Sequence, residues 1–111
     1  MADLSVVMAP VNGGAALEDN AVPAAVGGDT APCGPGRFLY VMNGDASPHT
    51  ATVDVTRKMS GLAVEDAVLT VAAGESGVLP LTRNLASADG RAAITYDAVT
   101  SVNVAVFELG R

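Results

Sequence analysis

The chain reads as one small all-β domain: a single β-sandwich, or a compact barrel, of about seven short antiparallel strands preceded by an irregular N-terminal segment. Three observations predict this. Short apolar runs with period-two alternation recur at a spacing of about 8 to 15 residues, separated by clusters of Gly, Pro, Asn and Asp. No stretch carries the apolar stripe of a convincing helix. Valine and threonine, whose branched side chains suit a pleated, half-buried surface, are frequent in those runs. At 111 residues the chain is long enough for one core and too short for two. It divides into residues 1–36, an N-terminal strand followed by a Gly/Pro-rich arm or loop, and residues 37–111, the sandwich core.

Residues 4–11, LSVVMAPV, form the first expected strand, which Pro10 ends or confines to a sheet edge because it has no N–H to give to a ladder. From 12 to 36 the periodicity dissolves. Ala15 to Glu18 has room for a helical turn, but paired glycines flank it and Pro23, Pro32 and Pro35 exclude a long element. A patternless run of this length is either a loop crossing the sheet edge or an extended arm that orders on a neighbouring molecule. Phe38 to Met42 is apolar on both faces, as a strand near the centre of a sheet requires. Thr50 to Thr56 alternates, with Ala51, Val53 and Val55 on one face and Thr50, Thr52, Asp54 and Thr56 on the other. The loop between these two strands, Asn43 to His49, is dense in turn formers.

Residues 57–63 connect to a strand at 66–72, and the turn at 73–77 leads to a short strand at 78–81 that Pro80 assigns to an edge. The connection 84–90 ends in Asp89-Gly90, a strong turn signal. The strand at 91–97 places Ala92, Ile94 and Tyr96 on one face. In the last, 101–109, Val102, Val104 and Val106 share one face and Ala105, Phe107 and Leu109 the other. With no tryptophan and few aromatics, the core is expected to be thin.

Half of the residues are hydrophobic and 16% are charged, against about 25% charged in an average domain. Either Ala, Gly and Thr cover much of the surface, or part of it is buried against other subunits; the two are compatible. The net charge of −6 and the scatter of the six basic residues (Arg37, Arg57, Lys58, Arg83, Arg91, Arg111) argue against nucleic acid as a partner, because phosphate binding needs clustered cations. The same balance argues against an anionic membrane, and no run approaches the roughly 18 apolar residues of a spanning helix. Met1 to Leu4 lacks the basic start of a signal peptide, so synthesis and retention in the cytoplasm are expected until the protein joins an assembly.

Few residues combine into chemistry. His49 as a general base needs a nucleophile and an orienting partner, and an alternating strand scatters its neighbours Ser47 and Asp54 to different faces. It reads instead as a solvated or turn-stabilising histidine. Cys33 is the only cysteine, which excludes an intrachain disulfide, a redox pair and a thiolate zinc site. Glu18-Asp19, Glu65-Asp66, Asp29 and Asp45 lack the spacing that gathers oxygens on calcium. Gly34-Pro35-Gly36 is no phosphate loop, since proline removes a donor and no Lys-Ser/Thr follows. No catalytic residue, metal or cofactor is expected, and an enzyme is disfavoured.

The turns and core positions form a pattern: Gly28-Asp29, Gly36-Arg37 and an apolar strand ending in Asn43-Gly44, then Ala73-Gly74-Glu75, Gly90-Arg91 and Tyr96-Asp97 before a valine-rich strand. In this the chain resembles small all-β proteins encoded among the head genes of tailed bacteriophages, particularly those of GC-rich hosts. The resemblance covers about residues 27–109 and matches the first 26 weakly. It implies a virion component, a capsid decoration or cement protein. Such a protein binds the major capsid protein on the outside of the expanded head, often as a trimer, and bridges capsid subunits. In that role the candidate capsid or oligomer contacts are the apolar residues Leu4, Val6, Met8, Val11, Leu17, Val22 and Val26 of the N-terminal part and the polar loop residues Asn43, Asp45 and His49. Two other readings stay open. One is a low-copy head–tail connector or tail component. The other is a sandwich that presents its loops to a glycan or receptor, for which it is poorly equipped because Phe38, Tyr40, Tyr96 and Phe107 all fall within strands.

Overall fold

Alternation along the chain becomes two sheets laid face to face. A computed structural model describes residues 2–10, 14, 16–55, 58–59, 62–63, 66–86 and 90–109. Its strands are β1 (Ala2–Asp3), β2 (Val6–Ala9), β3 (Val22–Pro23), β4 (Asp29–Pro32), β5 (Arg37–Asn43), β6 (His49–Asp54), β7 (Lys58–Met59), β8 (Leu62–Ala63), β9 (Ala67–Val71), β10 (Ser76–Pro80), β11 (Arg91–Tyr96) and β12 (Val102–Leu109). One sheet, here called A, has the order β1-β4-β11-β6-β9. Sheet B has the order β10-β5-β12-β2, with β3 also on β12, and β7 and β8 form a separate ribbon. The all-β sandwich expected from the alternation is present, and each of the seven expected strands is found within two residues of its expected ends.

Three differences have physical causes. Strand β4 lies inside sheet A, although Asp29-Thr30-Ala31-Pro32 has no apolar run. Its strand character comes from pairing with β11 on one side and β1 on the other. Strand β1 reaches only Asp29 and Thr30, so Pro32 sits where β4 has one neighbour and its missing N–H costs no ladder bond on the open side. The pairings β1–β4 and β2–β12 are parallel, so the strands are not antiparallel throughout. Parallel neighbours need a long connection, and the chain between each pair supplies one. Finally, the expected connection at 57–63 contains the two short strands β7 and β8.

The inner faces meet in one core. Sheet B contributes Leu39 and Val41 of β5 and Val102, Val104 and Val106 of β12. Sheet A answers with Ala31, Ala51, Val53, Val71, Ala92 and Ile94. Three alanines on sheet A keep the layer thin, as the lack of large side chains predicted. Leu4, Ala24 and Ala31 belong to this core, so it draws on residues from both sides of the 36/37 division.

Both sides of the sandwich are closed by chain crossing between the sheets. At one side β9 leads through the turn at Ala72–Glu75 into β10, with Gly74 at φ 75°. A side chain on Gly77 would start 3.2 Å from Leu69, which is how closely β10 approaches β9 there. At the other side β1 passes into β2 through Leu4, whose N–H donates to the Thr30 carbonyl at 2.7 Å. Arg91 locks the crossing. Its Nη2 donates to the Leu4 carbonyl at 2.8 Å and its Nε to the Thr30 hydroxyl at 3.0 Å. The crossings join the edge strands of the two sheets, β9 to β10 and β1 to β2, without pairing them in one ladder.

Two variants test this packing. Leu4→Ala empties a core site and is expected to lower unfolding free energy by about 2 to 4 kcal/mol in denaturant titration. Gly28 has φ 96°, and a Cβ there would lie 2.5 Å from the Ile94 carbonyl oxygen. Gly28→Ala is therefore expected to cost about 2 to 3 kcal/mol although it adds one methyl group. A wild-type midpoint for either variant would mean that the crossing or the turn is not built as described.

Candidate functional site

Strand parity sends half of β5 and β12 away from the core. Phe38, Tyr40 and Met42 of β5 and Ala105, Phe107 and Leu109 of β12 face outward from sheet B, in register with Ser76, Val78 and Pro80 of β10. Sheet A carries no comparable set of aromatics. Phe107 is fully buried here, with ring centroids 5.8 Å from Phe38 and 6.2 Å from Tyr40 in an edge-on arrangement. Tyr40 finds a partner for its hydroxyl in Ser76 Oγ at 3.1 Å. Val7 and Ala21 pack on the cluster from the N-terminal part of the chain.

The cover stops short. Toward the Arg37 end of β5, Val78 is 54% exposed and Leu109 58%. Together with Phe38, Pro80, Gly34 and Pro35 they line a groove of about 640 Å³. Arg37, Thr82 and Arg83 also line it. Arg37 is already engaged: its Nε donates to Glu108 Oε1 at 2.7 Å and its Nη1 to the Cys33 carbonyl at 3.1 Å. That leaves an open apolar surface on a chain with little charge elsewhere, and such a patch is a docking surface more often than a solvent face.

The opposite end of β5 is polar. Asn43 is 1% exposed, and its Nδ2 donates to the carbonyls of Ser47 at 2.9 Å and Val71 at 3.0 Å. Its Oδ1 accepts the Asp45 N–H at 3.0 Å. These bonds shape the loop after β5 from within. The fixed Asp45 meets His49, 7% exposed, with 2.8 Å between Oδ2 and Nε2. His49 Nδ1 lies 3.1 Å from Oδ1 of Asp97, at the end of β11. The same Asp97 oxygen accepts the N–H groups of Thr50 at 3.0 Å and Ala98 at 2.7 Å. Beside this chain of contacts Gly44 donates to the carbonyl of Ser101, a residue at φ 56° in the turn before β12.

Charge follows from the contacts. The bond to Asp45 raises the His49 pKa above its ordinary value; burial opposes this, and Asp97 adds to the rise. The bond to His49, followed by the Ala46 amide, holds the Asp45 carboxyl below the usual range. Desolvation works against ionisation of Asp97, but the Thr50 amide, His49 and the Ala98 amide outweigh it and keep its pKa low. Both ring nitrogens of His49 are taken by carboxylates, so neither is turned to a nucleophile. Among the described residues no three His, Cys, Asp or Glu side chains are placed to hold a metal ion.

A third polar group sits between β4 and β11. Asp29 is fully buried, and its Oδ2 accepts the Tyr96 hydroxyl at 2.7 Å and the Ala25 N–H at 3.3 Å. Its Oδ1 has no partner among the described residues. Burial, and after it the Asp29 carboxylate, push the Tyr96 hydroxyl far above its ordinary pKa, which keeps it a donor. This pair ties the 25–29 turn to sheet A.

The candidate contact residues thus separate. Asn43, Asp45 and His49 come together, joined by Asp97, and His49 is a buried loop tie rather than a solvated side chain. Leu4 is a core residue and Val6 packs against the core. Leu4 and Val22 line a small hollow of about 280 Å³ beside β12. Met8, Leu17, Val22 and Val26 are exposed; Val11 lies outside the described residues. The outward set Phe38, Val78, Pro80 and Leu109 was not singled out from sequence. Its signal was available in the second apolar face of β5 and β12, which one core cannot use.

Asn43→Ala leaves the Val71 carbonyl without its partner and unmoors the loop, so a loss of about 2 to 3 kcal/mol is expected in denaturant unfolding. A change below about 0.5 kcal/mol would show the loop is held by other means.

Comparison with known proteins returned no matching family model, no matching curated protein and no matching solved structure.

Proposed function

We propose that this chain is a structural, non-enzymatic virion protein that decorates the outside of a tailed-phage head. The observation that carries the docking half of this reading is the uncovered apolar end of sheet B, where Val78, Pro80, Leu109 and Phe38 surround a groove large enough to seat partner side chains. The phage half rests on the resemblance in turn and core residues. In this reading the partner is the major capsid protein, the chain acts as a homo-oligomer with a trimer favoured, and many weak contacts sum to a large stabilisation across the shell. The acidic balance keeps the free protein soluble before docking.

A head–tail connector or tail component would use the same face at low copy number. A glycan-binding role has less support, because three of the four aromatic rings are not open to a sugar: Tyr40 and Phe107 are buried and Tyr96 is bonded to Asp29, which leaves Phe38 in the groove.

Quantitative mass spectrometry of purified particles against the major capsid protein tests the assignment. Hundreds of copies in fixed ratio to capsid subunits are expected; a dozen or so would move the chain to the connector or tail, and complete absence would sink the virion reading. Val78→Asp should remain folded, since Val78 is half exposed on an edge strand. It is expected to weaken attachment at least about tenfold by placing a charge in the apolar contact. Undiminished attachment would move the contact to another face.

A further inference from the structure

We propose that Asp45, His49 and Asp97 form a proton-held clasp, in which the imidazolium of His49 ties the 44–48 loop to the turn after β11 and loss of its proton loosens that end of the sandwich. A neutral imidazole has one N–H and one lone pair, whereas the charged ring has two N–H donors. Here both nitrogens face carboxylate oxygens, at 2.8 and 3.1 Å. The neutral ring would set one lone pair against a carboxylate. Only the protonated ring satisfies both contacts.

The surroundings place this proton between two elements far apart in sequence. Asp45 comes from the loop after β5 and Asp97 from the end of β11. Strand β9 sets Val71 opposite His49 and brings no titratable group to that pairing. Asn43, which shapes the loop, is neutral. The Gly44–Ser101 backbone bond runs beside the clasp and carries no charge. Release of the proton therefore removes the side-chain tie while the Asn43 bonds and the Gly44–Ser101 bond remain, which predicts local opening without loss of the sheets.

The sign follows from the directions of the shifts. Below the ordinary histidine value of 6.5, His49 is charged whether folded or not, and the clasp contributes in full; its contribution is lost as pH rises through the raised folded value. For Asp45 and Asp97 the contribution is present above the ordinary 3.8 and lost as pH falls through their lowered folded values. The clasp is therefore complete between the ordinary carboxylate value of 3.8 and the ordinary histidine value of 6.5.

Nitrogen-15 NMR of the wild-type protein across pH tests this. Expected are two protonated ring nitrogens at about pH 6, a His49 midpoint above about 6.5, and a downward move of that midpoint in Asp45→Asn and Asp97→Asn. Amide protection, corrected for intrinsic exchange, should fall at Ala46, Thr50 and Ala98 as His49 loses its proton, while the β5–β12 ladder stays protected. A midpoint at or below about 6.5, a ring with one bare nitrogen at about pH 6, or protection that ignores the titration would each overturn the proposal. The wild-type titration decides even if a variant fails to fold.

Discussion

The ladder between β5 and β12 is the constraint on which the rest depends. Seven consecutive residue pairs join them, from Val102 opposite Asn43 to Glu108 opposite Arg37. Both strands are apolar on both faces, so their sheet demands cover on two sides. Sheet A meets the demand on one side with small residues. On the other, the N-terminal chain covers Tyr40, Ala105 and Phe107 and leaves the Leu109 end open. An antiparallel sheet usually keeps one face for water. Sheet B, antiparallel except for β2, keeps neither, and the cover of its outer face stops short of Val78 and Leu109.

The two ends of β5 are chemically opposed. Arg37 starts the strand beside an apolar groove, and Asn43 ends it inside a polar knot of loops. The sheets between them are stiffened by packing, whereas the loops at the Asn43 end are held by directed bonds. One end is thus left open and apolar, and the other is held in shape. The buried Asn43 has a reason to be asparagine at every atom: its amide supplies two carbonyls and its oxygen receives an amide of the loop it folds.

Periodicity carried most of the fold. Strand β6 follows its alternation residue for residue, with His49, Ala51 and Val53 inward, and β12 divides its valines from Ala105 and Phe107 as the pattern requires. Strand β4 escaped because a four-residue strand ending in proline has no periodicity to detect; only pairing defines it. The parallel partners of β1 and β2 were equally out of reach, since register between distant segments leaves no local trace. In the candidate site, Asn43, Asp45 and His49 stood out as a polar loop, but Asp97 lies 48 residues from His49 and nothing near it announces a carboxylate contact. Leu4 and Val6, in the expected first strand, drew notice as candidate contacts for a similar reason. Hydrophobic side chains look alike in sequence whether they await a partner or have already found the core.

The parallel pairing of β2 with β12 has a mechanical meaning. These strands are the first and last of sheet B, matched from Val6 opposite Val106 to Ala9 opposite Leu109. Tension applied to the two chain ends pulls β2 backward and β12 forward along a shared axis. Their hydrogen bonds, evenly spaced as in any parallel pair, are then loaded together in shear and cannot peel apart one at a time. Resistance to force is set by the unfolding barrier rather than by equilibrium stability. A thin domain of small side chains thereby acquires a stiff direction, running along the paired strands β2 and β12.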